Sequence, residues 1–323
     1  VRPNPLLSHA VEGARVAREQ GTDLVVAAGG GSVIDESKGI AVGAVDDGEL
    51  WDFYDRKRQV TAALPLLAVQ TLPASSTEVN MVSVLTHDET REKQSIRSPH
   101  VTPKVAFLDP SATTTIPLTY TAYACTDILS HMMEGYFTSS DPWAPVQDGM
   151  AEGACRAVID SMEMLLEDPG DLQARSAVMW AGTLAWSGLM NAGVGGATIP
   201  NHMIEHPMSG HYNLAHGAGL SIVFPAWLKY AGLRHVGRVI KFGREILRVG
   251  DAMEGKSEEE QLRVVTESLE RWYRKIGTPV TLQEAGIDEI DSDRLTMDAL
   301  KLAGFWGVPG YSEEEIKAIY ALM

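Results

Sequence analysis

With 323 residues, 45% of them hydrophobic, the chain has enough apolar surface for two cores and reads as an ordinary globular protein. Its 27 basic and 43 acidic side chains leave a formal charge of −16, which sets aside nucleic acid and anionic membranes as principal partners, since both demand a basic face. The two cysteines, Cys125 and Cys155, form no CxxC pair, no apolar run reaches the ~18 residues of a membrane span, and nothing at the start resembles a signal peptide, so a cytoplasmic protein without disulfides is expected.

Ser8 to Gln20 has the apolar spacing of an amphipathic helix and stops at Gly21. Asp23 to Ala28 is a short continuous apolar run, as expected for a strand buried in a parallel sheet. It leads directly into Gly29, Gly30, Gly31 and Ser32 and then a helix from Val33 to Ala44. Strand, glycine loop and helix together suit phosphate, because the backbone can approach closely and the helix N-terminus presents free N–H groups. Glycines also make plain tight turns, so the loop alone carries little.

A second strand, Pro65 to Thr71, opens into the small-residue loop LPASSTE, at the strand end where open α/β sheets place ligands. Val82 to Thr86 and Val105 to Leu108 are further strands. Between them HDETREKQS reads as an exposed, hairpin-like piece carrying Lys93, a lysine able to reach a phosphate. From about Leu118 the pattern is helical to the end, which places a domain boundary near Pro117: an α/β dinucleotide-binding unit over 1–117 and a helical metal-binding unit over 118–323. Capping boxes at Ser257 with Glu260 and Ser312 with Glu315 mark two helix starts.

The helical half holds the chemistry. Asp127 and His131 are one helical turn apart in an apolar stretch. Asn201 to His216 holds four of the nine histidines: His202 and His206 share a helical face, and His216 follows a turn containing Pro, Ser and Gly and opens an apolar run. Buried, unpaired His and Asp are costly, and neutral imidazoles with one carboxylate suit a divalent metal that keeps a position open for substrate.

Taken together, GGGSVIDESK, TLPASSTEVN, DILSHMMEGYF and HMIEHPMSGHYNLAHGAGLSIVFPAW resemble the iron-containing alcohol dehydrogenase family, in its butanol dehydrogenase and aldehyde reductase branch. The resemblance runs through essentially the whole chain. It implies a dehydroquinate synthase-like fold, with an incomplete Rossmann-like parallel sheet followed by an all-helical domain. It implies that Asp127, His131, His202 and His216 hold one divalent metal, Fe2+ or Zn2+, and that His206 is an active-site histidine and not a ligand. Gly30, Gly31, Ser32 and Asp35 match the pyrophosphate loop, and Thr71, Ser75 and Lys93 match positions lining the cofactor cleft. The implied activity is hydride transfer between NADP(H), preferred over NAD(H) by the branch resembled, and a small aldehyde or primary alcohol, in a homodimer or larger homo-oligomer.

Two departures stand out. Ser76 occupies a position where the family usually has glycine, so its side chain is expected to crowd the cofactor. Relatives also carry a β/α portion before the segment matching Val1, including the adenosine-recognising loop, so weak cofactor binding and an exposed sheet edge are expected. Other readings are a glycerol dehydrogenase-like polyol enzyme of the same fold and an inactive truncated remnant. A phosphate-bearing substrate is disfavoured because His202 to His216 contains no Lys or Arg. Phe137, Trp143, Met203, Met208 and Tyr212 are the apolar candidates for the substrate surroundings, although such residues are more often core.

Overall fold

The structure, a computed structural model, describes residue 1 and residues 3–323. Helix α1 (Leu7–Glu19) packs on α2 (Gly31–Gly43), and strands β1 (Val25–Gly29), β2 (Leu66–Gln70) and β5 (Val105–Leu108) form a parallel sheet in the order β1-β2-β5. Short α3 (Trp51–Tyr54) precedes β2, while β3 (Val82–Thr86) and β4 (Lys93–Arg97) form a separate antiparallel hairpin. The ladder pairs Val26 with Leu67 and Leu67 with Val105, so alternate residues share a face. One face buries Ala27, Leu66 and Ala68 against Ile34 of α2. The other leaves Val26, Val105 and Phe107 exposed, with Phe107 at 51%.

From Leu118 the chain is helical: α4 (Leu118–Thr138), α5 (Pro145–Glu167), α6 (Leu172–Ala185), α7 (Pro200–Tyr212), α8 (His216–Ala231), α9 (Val236–Glu245), α10 (Gly250–Met253), α11 (Glu258–Lys275), α12 (Ser292–Trp306) and α13 (Glu313–Tyr320). Both expected capping boxes form, starting α11 and α13. Asp171 caps α6 and Asp291 caps α12 through backbone N–H groups that their carboxylates accept. Helices α4 and α8 are buried almost all round and share one core with α5 and α11, around Phe137, Phe224 and Trp227. None of the described helices is long and apolar enough to cross a membrane. Both cysteines are free and buried.

The segment after His206 is not a turn. Helix α7 continues through Pro207, Ser209 and Gly210 and ends at Asn213, whose φ of 51° is left-handed. Burial overrides the helix-breaking composition here: every residue from Pro200 to Gly210 is buried, so packing outweighs the bond Pro207 cannot donate.

Lys93 is also not in an exposed loop. It begins β4 and is only 7% exposed. One face of β4, with Lys93, Ser95 and Arg97, lines a cleft and is polar while Ile96 packs in a core on the other, which hides the strand from a search for apolar alternation.

Candidate active site

A cleft of about 710 Å³ lies between the α/β part and the helices. Gly30, Gly31, Ser32, Asp35, Ser75 and Lys93 line it on one side, and Asp127, His131, His202, His206 and His216 on the other. Thr71 is not among the lining residues. Its N–H donates to Gly29 O at 3.0 Å, which extends the β1–β2 ladder by one residue. A second hollow, of about 590 Å³ and lined by residues such as Tyr212, Arg274 and Glu284, contains none of the expected metal, cofactor or catalytic residues.

Three helices aim imidazoles at one oxygen. Asp127 Oδ1 lies 3.2 Å from His131 Nε2, 3.3 Å from His202 Nε2 and 3.7 Å from His216 Nε2. The first pair is one turn apart on α4, His202 comes from the first turns of α7, and His216 opens α8. Behind them stand two buried glutamates that the sequence reading missed. Glu134 Oε1 bonds His202 Nδ1 at 2.7 Å, and Glu134 also accepts the backbone N–H groups of Asn201 (3.1 Å) and His202 (3.2 Å) at the start of α7. Glu205 Oε2 bonds His216 Nδ1, while its other oxygen accepts the Ser209 hydroxyl. Carboxylates on Nδ1 fix the tautomer and leave Nε2 free to bind. A signal was available: an acid inside a buried helix, seven residues beyond Asp127 or three beyond His202, points the same way as its neighbour.

The charge balance fits a cation. Asp127, Glu134 and Glu205 are all buried, and both His131 nitrogens are buried without a hydrogen-bond partner. Burial would push the His202 imidazole down, but the Glu134 and Asp127 carboxylates outweigh it and hold its pKa up at about 10. Burial likewise works to raise Asp127, and the surrounding imidazoles, His131 foremost, pull it far below the carboxylate range. A cluster that draws a proton this strongly fits a divalent ion in the proton's stead. Replacing Glu205 by glutamine is expected to weaken metal affinity by ~10–100-fold while helix content is kept. Chelator competition would measure this, and unchanged affinity would show Glu205 to be a packing residue only.

His206 stands apart from the Asp127 set. Its ring packs edge-on to Trp306 at 4.8 Å and lies 5.3 Å from the His216 ring, with a buried, unpartnered Nδ1. Burial, and then the nearby Lys93 ammonium, push its pKa well below the usual range. Glu205, His206 and His216 could also enclose an ion. Both Glu205 oxygens are already engaged, however, so the Asp127-centred group is the open one.

On the opposite wall, α2 starts just after Gly30 with no side-chain cap, which leaves its first N–H groups to the cleft. A Cβ on Gly30 would come within 2.9 Å of Leu72 Cβ, and one on Gly31 within 3.0 Å of Ser75 Oγ. Glycine is therefore needed here for contact with the small-residue loop as well as for access. Asp35 faces that loop: it accepts the Thr77 hydroxyl and, at 3.2 Å, the Val84 N–H. Fully buried Lys38 donates to Thr77 Oγ1 (2.9 Å), Asn80 O (3.0 Å) and Val82 O (2.6 Å), and burial lowers its pKa to about 8. It ties α2 to the hairpin.

Ser76 does not crowd the cleft. Its φ of 52° is left-handed, the conformation glycine favours. Its buried hydroxyl points away from the cleft, donating to Gly182 O (2.6 Å) and accepting the Trp186 N–H (2.6 Å). Trp186 in turn stacks on His131 at 5.1 Å. Ser76→Ala, which loses both bonds and keeps the strained backbone, is expected to cost ~1–3 kcal/mol of stability by urea unfolding.

The five apolar candidates are not pocket residues. Phe137, Met203 and Met208 are fully buried in the helical core, Trp143 is 82% exposed, and Tyr212 borders the second hollow. The aromatic wall of the cleft comes instead from Trp186, Phe305, Trp306, Tyr120 and Tyr123. The histidine segment itself carries no lysine or arginine, but Arg56, Lys93 and Arg97 reach the same cleft from elsewhere, so the site is not free of basic groups.

An uncapped glycine-loop helix facing a converging aspartate and histidine set across one cleft is what a metal-dependent dehydrogenase requires. Residues 1–110 match the model of iron-containing alcohol dehydrogenases, and residues 121–323 that of the Fe-containing alcohol dehydrogenase family, C-terminal. The chain belongs to the iron-containing alcohol dehydrogenase family. It is 34% identical over 319 residues to the probable NADH-dependent butanol dehydrogenase 1 of Bacillus subtilis, covering 99% of this chain and 81% of that one. With the NADPH-dependent aldehyde reductase YqhD of Escherichia coli it shares 31% identity over 292 residues, which is 89% of this chain and 74% of that protein. The crystal structure of NADH-dependent butanol dehydrogenase A from Thermotoga maritima superposes with a TM-score of 0.93 at 36% identity, covering 100% of this chain and 81% of that one.

Proposed function

We propose that the chain transfers hydride between a nicotinamide dinucleotide and a small aldehyde or primary alcohol, with Asp127, His131, His202 and His216 holding one divalent metal. The observation that carries this reading is the convergence of three imidazole Nε2 atoms on Asp127 Oδ1 within the cleft that also receives the glycine loop. A divalent ion in that set supplies a Lewis acid for the carbonyl oxygen, and imidazole ligands suit iron and zinc alike.

The protein's own groups do the rest. The free N–H groups at the start of α2 hold the pyrophosphate, and Ser75 and Lys93 hold the cofactor across the cleft. Glu134 and Glu205 keep His202 and His216 in one tautomer. His206, which lines the same cleft, holds or moves the proton that the substrate oxygen gains in reduction and loses in oxidation. Trp186, Phe305 and Trp306 give the substrate an apolar wall, which favours a simple aldehyde over a polyol. NADPH is the expected cofactor, by resemblance to the aldehyde reductase branch, and relatives with either preference support comparing both forms. A cytoplasmic homo-oligomer completes the proposal.

The test is NADPH or NADH consumption with butyraldehyde by the purified chain as isolated, after chelation, and after adding back Fe2+ or Zn2+. Activity lost on chelation and restored by metal is the expected result. Activity indifferent to chelation, with no metal bound, would overturn the ligand assignment.

A further inference from the structure

Among the described residues, three cationic side chains line the cleft, Lys93, Arg97 and Arg56, and they are arranged in depth. Lys93, Ser95 and Arg97 alternate on β4 and all face the cleft, so one face of the strand carries Lys93 at its buried end and exposed Arg97 at the other. Across from it, the wall built by the end of α12 begins at His206, where Trp306 packs edge-on at 4.8 Å and donates its indole N–H to Ser95 Oγ at 3.1 Å. Phe305 comes next, and the Arg56 guanidinium lies over its ring at 4.8 Å. Burial falls along this path, from His206 through the half-buried aromatics to exposed Arg56.

Neither Arg56 nor Arg97 forms an ion pair among the described residues, although Asp55, beside Arg56, is taken up by Lys57 and Lys301 at 3.1 and 3.2 Å. In a chain with 43 acidic and 27 basic residues, two cations left unpaired at the mouth of one cleft are placed to meet an anion from outside. The glycine loop lies on a different element, at the start of α2, and offers its own N–H groups to the cofactor's phosphates.

We propose that this cleft accepts aldehydes bearing an anionic group at the far end of an aliphatic chain, with the methylenes along Trp306 and Phe305 and the anion between Arg56 and Arg97. The proposal rests on the aldehyde reductase reading above and adds a substrate class to it. Planar guanidinium groups suit a carboxylate, which they can bind in bidentate fashion.

The test is a matched pair of aldehydes, hexanal and adipate semialdehyde, which differ only in a terminal methyl against a carboxylate. kcat/KM for both, and KM for NADPH, are measured for the unaltered chain, Arg97→Gln, and Arg56→Gln with Arg97→Gln. The expected result is a preference for the anionic aldehyde that fades as salt is raised and falls by at least ~10-fold in the double variant. Arg97→Gln alone, at an exposed strand end, reads part of that fall should Arg56→Gln disturb folding. An unchanged ratio of the two aldehydes overturns the proposal. So does an equal loss for both aldehydes with a raised KM for NADPH, which would assign the arginines to cofactor phosphate. If the unaltered chain turns over neither aldehyde, the reductase reading itself fails and the inference falls with it.

Discussion

His202→Ala is expected to empty the metal site and lower kcat/KM for aldehyde reduction by ~1,000-fold or more. His202 is the hub of the cluster: Nε2 faces Asp127 at 3.3 Å, Nδ1 faces Glu134 at 2.7 Å, and its ring stacks on His131 with centroids 4.0 Å apart. Alanine removes a ligand and leaves Glu134 buried without its ring partner, so the remaining groups repel one another and affinity drops by more than one bond's worth. Several kcal/mol of stabilisation of the developing negative oxygen go with the metal, and each ~1.4 kcal/mol is tenfold in rate. Alanine is a good helix former in α7, so circular dichroism is expected to stay helical. Elemental analysis decides the matter: one metal per chain in the variant would remove His202 from the ligand set. His211→Ala is the matched control, because that histidine bonds Asp298 at 2.7 Å and does not line the cleft.

His206→Ala separates binding from turnover. The side chain sits one turn after His202, but the pairs made by Asp127 Oδ1 are with His131, His202 and His216. Metal content is therefore expected to persist while turnover falls by ~100- to 10,000-fold, the range for a lost proton-transfer group. The two readouts are independent. Loss of metal would favour the alternative grouping of Glu205, His206 and His216 and would move His206 from proton transfer to coordination.

Much of the candidate site was legible because helical periodicity is short-ranged: Asp127 with His131, and His202 with His206, meet one turn apart whatever surrounds them. The strand, glycine loop and helix at Val25 to Gly43 were legible for the same reason. Lys93 was misplaced because KQSIR is a strand that faces a cleft, so its polar residues imitate a loop. The end of α7 was misread because Pro207 and Gly210 argue locally for a turn, while burial on every side argues more strongly for a helix. Ser76 looked like an intrusion into the cofactor space, yet its left-handed backbone turns the hydroxyl toward Gly182 and Trp186, more than a hundred residues away in sequence. The aromatic wall was beyond reach, since Phe305 and Trp306 arrive from near the other end of the chain, where no local spacing marks them as neighbours of His206.

Four of the seven tryptophans stand against a histidine, and at two of them that histidine lines the cleft: Trp186 is stacked on His131 and Trp306 is edge-on to His206. The molecule thus carries its own optical gauge. Indole emission is quenched by contact with charged imidazole or an adjacent transition-metal ion, and it overlaps the absorption of reduced nicotinamide. Filling the ligand set with Fe2+ and filling the cofactor cleft should therefore each dim the ultraviolet glow, the first through Trp186 and the second through energy passed to the dinucleotide, without any label being attached.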